Sequence, residues 1–183
     1  TPVSVKSSPT DNDRFVLAPD ASVDGWGGVL FDSKTGEITG VGEKWDRQRS
    51  CHEINELEAE AVWRALRAFD LNAERIEDDG LLLLVDNTSV KFTLKKGRAY
   101  EWPLNHQIGN VLRELRGAGR VAVNYINTAI NPADALSRGK PLNRELGSTL
   151  GAEGWREEKL PVSCPSFPLR KRKNTHFGRP SVN

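Results

Sequence analysis

Leu81-Leu82-Leu83-Leu84-Val85-Asp86-Asn87 is the most apolar run of the chain, and it stops at a carboxylate and an amide. Five residues without a polar member suit a short strand covered on both faces. The segment before it is an amphipathic helix over residues 55–71. Leu57, Ala61, Val62, Ala65, Leu66 and Phe69 recur there at helical spacing, while Glu60, Arg64 and Arg67 fall on the other side. A strand reached through a crossover helix pairs in parallel with the first strand. The run therefore lies inside a mixed sheet, and Asp86 sits at its carboxyl end, where α/β sheets present groups to a crevice.

Working back toward the N-terminus, Phe15 to Ser22 reads as a strand and Asp24-Gly25 as a turn. Trp26 to Phe31 returns as a second strand. Lys34-Thr35-Gly36 turns again, and the alternation from Ile38 to Trp45 gives a third, more exposed strand. Working forward, a short helix is expected over residues 88–95. A further helix follows, opened by Pro103 and carrying Leu104, Ile108, Val111, Leu112 and Leu115, and it closes near Gly117 and Gly119. A strand spans Val121 to Ile126, and a short helix follows Asn131-Pro132. The order is βββαβαβα. The fold class is α/β: a mixed five-stranded sheet, built as a three-stranded antiparallel meander plus two parallel strands, flanked by helices.

A chain of 183 residues with a 37% hydrophobic share can bury one core and carry a tail. Residues 1–14 are polar and read as a flexible linker, 15–139 as the domain, and 140–183 as a Pro-rich, basic, loosely structured extension. That extension holds Pro141, Pro161, Pro165, Pro168 and Pro180 and the run Arg170-Lys171-Arg172-Lys173. Such a run suits nuclear import, nucleic-acid contact or solubility alike. The start at Thr1 reads as an excised piece. A net charge of +1 does not advertise a nucleic-acid partner, so any attraction to phosphate must be local. Cys51 and Cys164 are too few for a disulfide scaffold and fit a reducing compartment; with His52 and His176 they lack zinc-site spacing. No run approaches a membrane span, and nothing at the N-terminus resembles a signal peptide, so the expected location is intracellular, in cytoplasm, virus-like particle or nucleus.

Four acids stand one to an element: Asp20 at the end of the first strand, Glu58 early in the helix, Asp86, and Asp134 in the short helix after Asn131-Pro132. Hydrolysing a phosphodiester needs an activated water, neutralised phosphate oxygens and a stabilised leaving alkoxide, and two divalent ions about 3.5–4 Å apart provide all three. Magnesium takes oxygen ligands and keeps waters, so an open carboxylate cluster suits it. Each acid alone has a plainer reading. Glu58 is one helix charge among Glu53, Glu56 and Glu60, Asp86 is a turn residue, and Asp134 favours the positive end of a helix dipole. The series Asp20-Ala21-Ser22-Val23-Asp24-Gly25 also starts like a calcium loop, but its twelfth position is Phe31 and not glutamate. The five tryptophans read mainly as core, with Trp63 as the candidate for partial exposure.

Taken together, Asp20-Ala21-Ser22, Asn55-Glu56-Leu57-Glu58-Ala59-Glu60-Ala61, Val85-Asp86-Asn87-Thr88-Ser89-Val90 and Asn131-Pro132-Ala133-Asp134-Ala135-Leu136-Ser137-Arg138 resemble the motif series of ribonuclease H. The likeness is greatest to the ribonuclease H domains of retroelement and pararetrovirus reverse transcriptases, and it runs from about Phe15 to Gly139. It implies a ribonuclease H-like fold, two Mg²⁺ or Mn²⁺ ions, and cleavage of RNA in an RNA/DNA hybrid to leave 3′-hydroxyl and 5′-phosphate ends. By the same resemblance Asp20 bridges both ions, Glu58 and Asp86 hold the ion on the leaving-group side, and Asp134 helps hold the one near the nucleophilic water.

Substrate contacts are expected at Asn55, Asn87 and Ser22, toward 2′-hydroxyls and backbone, and at Arg47, Arg49 and Ser50, toward DNA-strand phosphates. Two departures from the family pattern stand out. Ile126-Asn127-Thr128-Ala129-Ile130-Asn131 lacks the histidine that many members place before the last acid. The stretch from Asp86 to Pro103 is too short for a long basic protrusion, offering only Lys91, Lys95, Lys96 and Arg98. The expected partners are therefore an RNA/DNA hybrid and the reverse transcriptase polymerase domain of a parent polyprotein, which would hold the substrate. The competing readings are another ribonuclease H-like nuclease, such as an integrase, resolvase or exonuclease, and a catalytically weak or silent connection or nucleic-acid-binding module of the same fold. Loss of a carboxylate would mark the silent module, and all four are present.

Overall fold

Three antiparallel strands form where the alternation predicts them: β1 (Phe15–Ala21), β2 (Gly25–Asp32) and β3 (Glu37–Lys44). β1 and β2 pair without a break from Phe15↔Asp32 to Ala21↔Trp26. The computed structural model describes residues 13–152 and 158–160. The reading of residues 1–14 as a linker falls mostly outside these residues, as does the basic run of the tail. β1 is buried along its whole length, whereas β3 is a largely exposed edge, in keeping with its threonine, glycine and charged residues.

The apolar run is β4 (Leu81–Val85), fully buried. It pairs in parallel with β1 on one side and with β5 (Val121–Tyr125) on the other, as the crossover argument requires. The five strands β3-β2-β1-β4-β5 are the expected mixed sheet, and a short sixth, β6 (Glu158–Lys159), adds antiparallel to β5. Helices cover both faces. On one lie α1 (Ile54–Ala68), α3 (Thr88–Lys96) and α4 (Trp102–Glu114), over a core that includes Phe15, Leu17, Leu57, Leu66, Leu83, Ile108 and Val111. On the other, α5 (Ala133–Ser137) and α6 (Arg144–Ser148) flank a smaller cluster of Val16, Ala18, Val29, Leu82, Leu84, Ala133 and Leu150. A single turn, α2 (Ala73–Ile76), capped by Asn72, precedes β4 and was not anticipated from the sequence.

Two further readings are corrected. Residues 144–151, expected to be loosely structured, form α6 and a following 3-10 turn, and Leu150 is completely buried against the sheet. Glu60, expected on the polar side of α1, is buried because Arg49 and Arg64 both bond its carboxylate, at 3.0 and 2.8 Å. A buried carboxylate is tolerable only when paired in this way.

One feature of the sheet opens the site. The β1–β4 ladder covers only Phe15–Leu17 against Leu81–Leu83. Pro19, which has no N–H to give, lies just beyond the end of that ladder. Past this point β1 and β4 are no longer paired, and their carboxyl ends lie where α/β sheets present groups to a crevice.

Candidate active site

Asp20, Glu58 and Asp86 meet at that crevice. One carboxylate oxygen from each lies within 4.8 Å of the other two. Asp20 arrives from the penultimate position of β1, and Asp86 is the first residue after β4. Glu58 is delivered by the start of α1, whose position is fixed upstream. Ser50 and Glu53 form a reciprocal capping box around a 3-10 turn at Cys51–Glu53, and α1 continues directly from it. Asp20 and Glu58 are buried, and Asp86 is half-buried.

Packing three carboxylates at this distance has an electrostatic cost. Burial, and then the charges of Asp20 and Asp86, push the Glu58 carboxyl up to about 9, against a single backbone N–H from Ala21 that favours its ionised form. Burial raises Asp20 to about 7, with Asp86 and Asp134 adding repulsion and the Ser137 hydroxyl opposing it. Like charges crowded out of water shift in this direction unless a cation sits among them. The donors are all hard oxygens, with neither histidine nor thiolate in the group, which fits magnesium or manganese and not zinc. Asp20, Glu58 and Asp86 would hold such an ion, which would supply Lewis acidity toward a phosphoryl oxygen and a more acidic bound water.

Asp134, the fourth expected acid, is nearby without being one of the three. Its charge acts on both Asp20 and Glu58. Its carboxylate, however, is half-exposed and pairs with Arg138 one helical turn on, Nε to Oδ1 at 3.2 Å. The helix that carries it is seated by two glycines of the meander. A Cβ at Gly27 would stand 2.7 Å from Leu136 Cβ, and one at Gly42 would stand 2.7 Å from the Leu136 carbonyl oxygen. This close approach brings Ser137 in, and its hydroxyl donates to Asp20 Oδ2.

The expected substrate contacts divide. Asn55 and Asn87 stay beside the acids and touch each other, with the Asn87 amide donating to Asn55 Oδ1 at 2.8 Å while its own Oδ1 caps α3 at the Val90 N–H. Ser50 is exposed at the α1 entry and Arg47 lies near it, weakly paired to Glu53. Ser22 is buried and bonded within the protein. Its hydroxyl donates to the Ser137 carbonyl at 2.8 Å and accepts the N–H groups of Asp24 and Gly25, and its own carbonyl accepts Trp45 Nε1 at 2.7 Å. Arg49 is likewise engaged within the protein. Its side chain is 3% exposed, held between Glu60 and Glu56 and stacked on Trp45.

Several contributors escaped the sequence reading. Asn131 is buried, and its amide bridges the two strand ends by donating to the Pro19 carbonyl at 3.1 Å and to Asp86 Oδ2 at 3.3 Å. Ser137 was visible only as part of a motif. Among the described residues the exposed tryptophan is Trp102, stacked on His106 next to the fully exposed Tyr100, while Trp63 is partly exposed, as expected, and packs against the core. Trp102 precedes Pro103 at the very start of α4, where it lies ahead of the helix's apolar stripe, and that position was the available signal.

Sheet order, crossover and acid placement together define the ribonuclease H fold. Solved structures share it. The ribonuclease H1 of the halophilic archaeon Halobacterium salinarum matches with a TM-score of 0.54 at 23% identity, over 67% of this chain and 93% of that one. The N-terminal ribonuclease H domain of a Mycobacterium tuberculosis protein, solved as a fusion with maltose-binding protein, gives 0.52 at 17% identity over 69% and 97%. The compost-derived LC11 ribonuclease H1, solved with an RNA/DNA hybrid, gives 0.52 at 18% identity over 72% and 99%. No family model and no curated protein sequence matches this chain.

Proposed function

We propose that the protein is a metal-dependent endoribonuclease that hydrolyses the RNA strand of RNA/DNA hybrids, and that it acts within retroelement reverse transcription beside a polymerase domain. The observation that carries this reading is the convergence of Asp20, Glu58 and Asp86 within 4.8 Å at the ends of two adjacent parallel strands and a helix start. Three crowded carboxylates, two of them, Asp20 and Glu58, buried and with raised proton affinity, call for divalent cations, two in this proposal, Mg²⁺ or Mn²⁺. Asn55 and Asn87, linked to each other at the rim, are suited to the 2′-hydroxyls and backbone of an A-like minor groove. Exposed Tyr100 and Trp102 offer stacking or sugar contacts farther along the duplex.

The chain's own residues have distinct tasks in this scheme. Asn131 aims Asp86, Ser137 aims Asp20, and the capping box at Ser50 fixes where Glu58 enters. The test is cleavage of end-labelled RNA annealed to DNA, in Mg²⁺ and separately in Mn²⁺, with single-stranded and duplex RNA as controls and Asp86→Asn alongside. The expected result is cleavage of hybrid only, leaving 3′-hydroxyl ends and lost in the variant. No cleavage when the chain is fused to a polymerase neighbour would move the reading to a silent binding module.

A further inference from the structure

Asp134 borders a cleft of about 580 Å³ whose lining includes Thr128, Asn131, Arg138, Lys140 and Asn143. Asn131 links the cleft to the acid cluster, because it lines the first and its amide touches Asp86 in the second. Its charged members are two cations and one acid, and the acid is Asp134 itself. Arg138 holds that carboxylate through an exposed i,i+4 pair, with side chains 52% and 38% exposed. Pairs of this kind are weak and readily exchanged. Lys140 has no ion pair or side-chain hydrogen bond among the described residues.

We propose that this cleft receives a phosphate of the RNA strand next to the scissile one, and that Arg138 and Lys140 are its ligands. In binding it, the Arg138 guanidinium leaves Asp134, which is then free to join Asp20, Glu58 and Asp86. Guanidinium groups take phosphate oxygens in the same forked geometry as carboxylates, so the exchange replaces one charge-assisted contact by another. The fourth ligand is thereby withheld until substrate lies in place. This rests on the ribonuclease reading, which supplies the strand whose cut phosphate lies over the acids.

Two measurements on the full chain test it: Mn²⁺ binding to the free protein, by the electron paramagnetic resonance signal of the unbound ion, and hybrid binding by fluorescence anisotropy with Ca²⁺ in place of the active ions. Arg138→Gln should raise Mn²⁺ affinity about two- to fivefold, because a competing cation is gone. The same variant should lower hybrid affinity about three- to tenfold. Lys140→Ala should leave Mn²⁺ binding unchanged, weaken hybrid binding and reduce its salt slope by about one unit. By reciprocity, hybrid should raise Mn²⁺ affinity in the wild type more than in Arg138→Gln. A residue that merely supported the fold would weaken both ligands together. Unchanged or weaker Mn²⁺ binding in Arg138→Gln, or unchanged hybrid binding in either variant, would overturn the inference. Wild-type chain that binds no hybrid even when fused to a polymerase neighbour would overturn the ribonuclease reading, and the inference with it.

Discussion

Replacing Glu58 by glutamine should abolish activity and stabilise the metal-free protein. The unfolded chain ionises Glu58 near 4.5, whereas the folded chain holds its proton up to about 9. Below 4.5 both states are protonated and stability is at its full value. Between 4.5 and 9 the folded state binds more protons, so stability falls as pH rises, by 1.36 kcal/mol for each unit. At pH 7 the full interval corresponds to about 3 kcal/mol, of which the single substitution recovers about 2, since Asp20 and Asp86 still repel each other. Glutamine keeps an oxygen for the Ala21 N–H, so no buried donor is stranded. In a chain of this size about 2 kcal/mol moves Tm by about 4–8 °C. Thermal unfolding in EDTA at pH 4.5, 7 and 8.5 reads this directly. The Tm gap between Glu58→Gln and wild type should be near zero at pH 4.5, open by pH 7, and close again when Mg²⁺ is added to both. A variant no more stable than wild type at pH 7 without metal would refute the argument that the trio is repulsive.

Three other perturbations have defined outcomes. Arg49→Ala leaves buried Glu60 with Arg64 as its remaining partner and should cost about 1–3 kcal/mol in urea unfolding, while the salt slope of hybrid binding stays unchanged because the Arg49 side chain is buried against Glu60 and Trp45. Gly27→Ala drives a methyl into Leu136 and should cost about 1–3 kcal/mol while cutting cleavage sharply, through displacement of the helix that carries Asp134 and Ser137. Asn131→Ala removes the support of Asp86 and should lower Mn²⁺ affinity about 10- to 100-fold, read by titration of the free ion.

The strands and long helices were legible because their cause is periodic burial: Leu81–Val85 has no polar residue, and α1 repeats its apolar residues every turn. The acids were legible because each sits at the end of such an element, where main-chain geometry aims it. What escaped depends on pairs far apart in the chain. Glu60 reads as a surface charge until Arg49 folds over Trp45 to meet it. Ser22 reads as a site hydroxyl until the Ser137 carbonyl, more than a hundred residues away, accepts its hydrogen bond. The packing of Leu150 depends likewise on a sheet face left open by a helix of only five residues, which no local pattern in residues 140–151 encodes.

The measurement that bears most directly on the account is the location of Mn²⁺ by anomalous scattering from crystals grown with the ion, for wild type and Asp20→Asn. The account predicts an anomalous peak coordinated by Asp20, Glu58 and Asp86 in the wild type, lost in the variant. A peak elsewhere, or one that persists in Asp20→Asn, would contradict it.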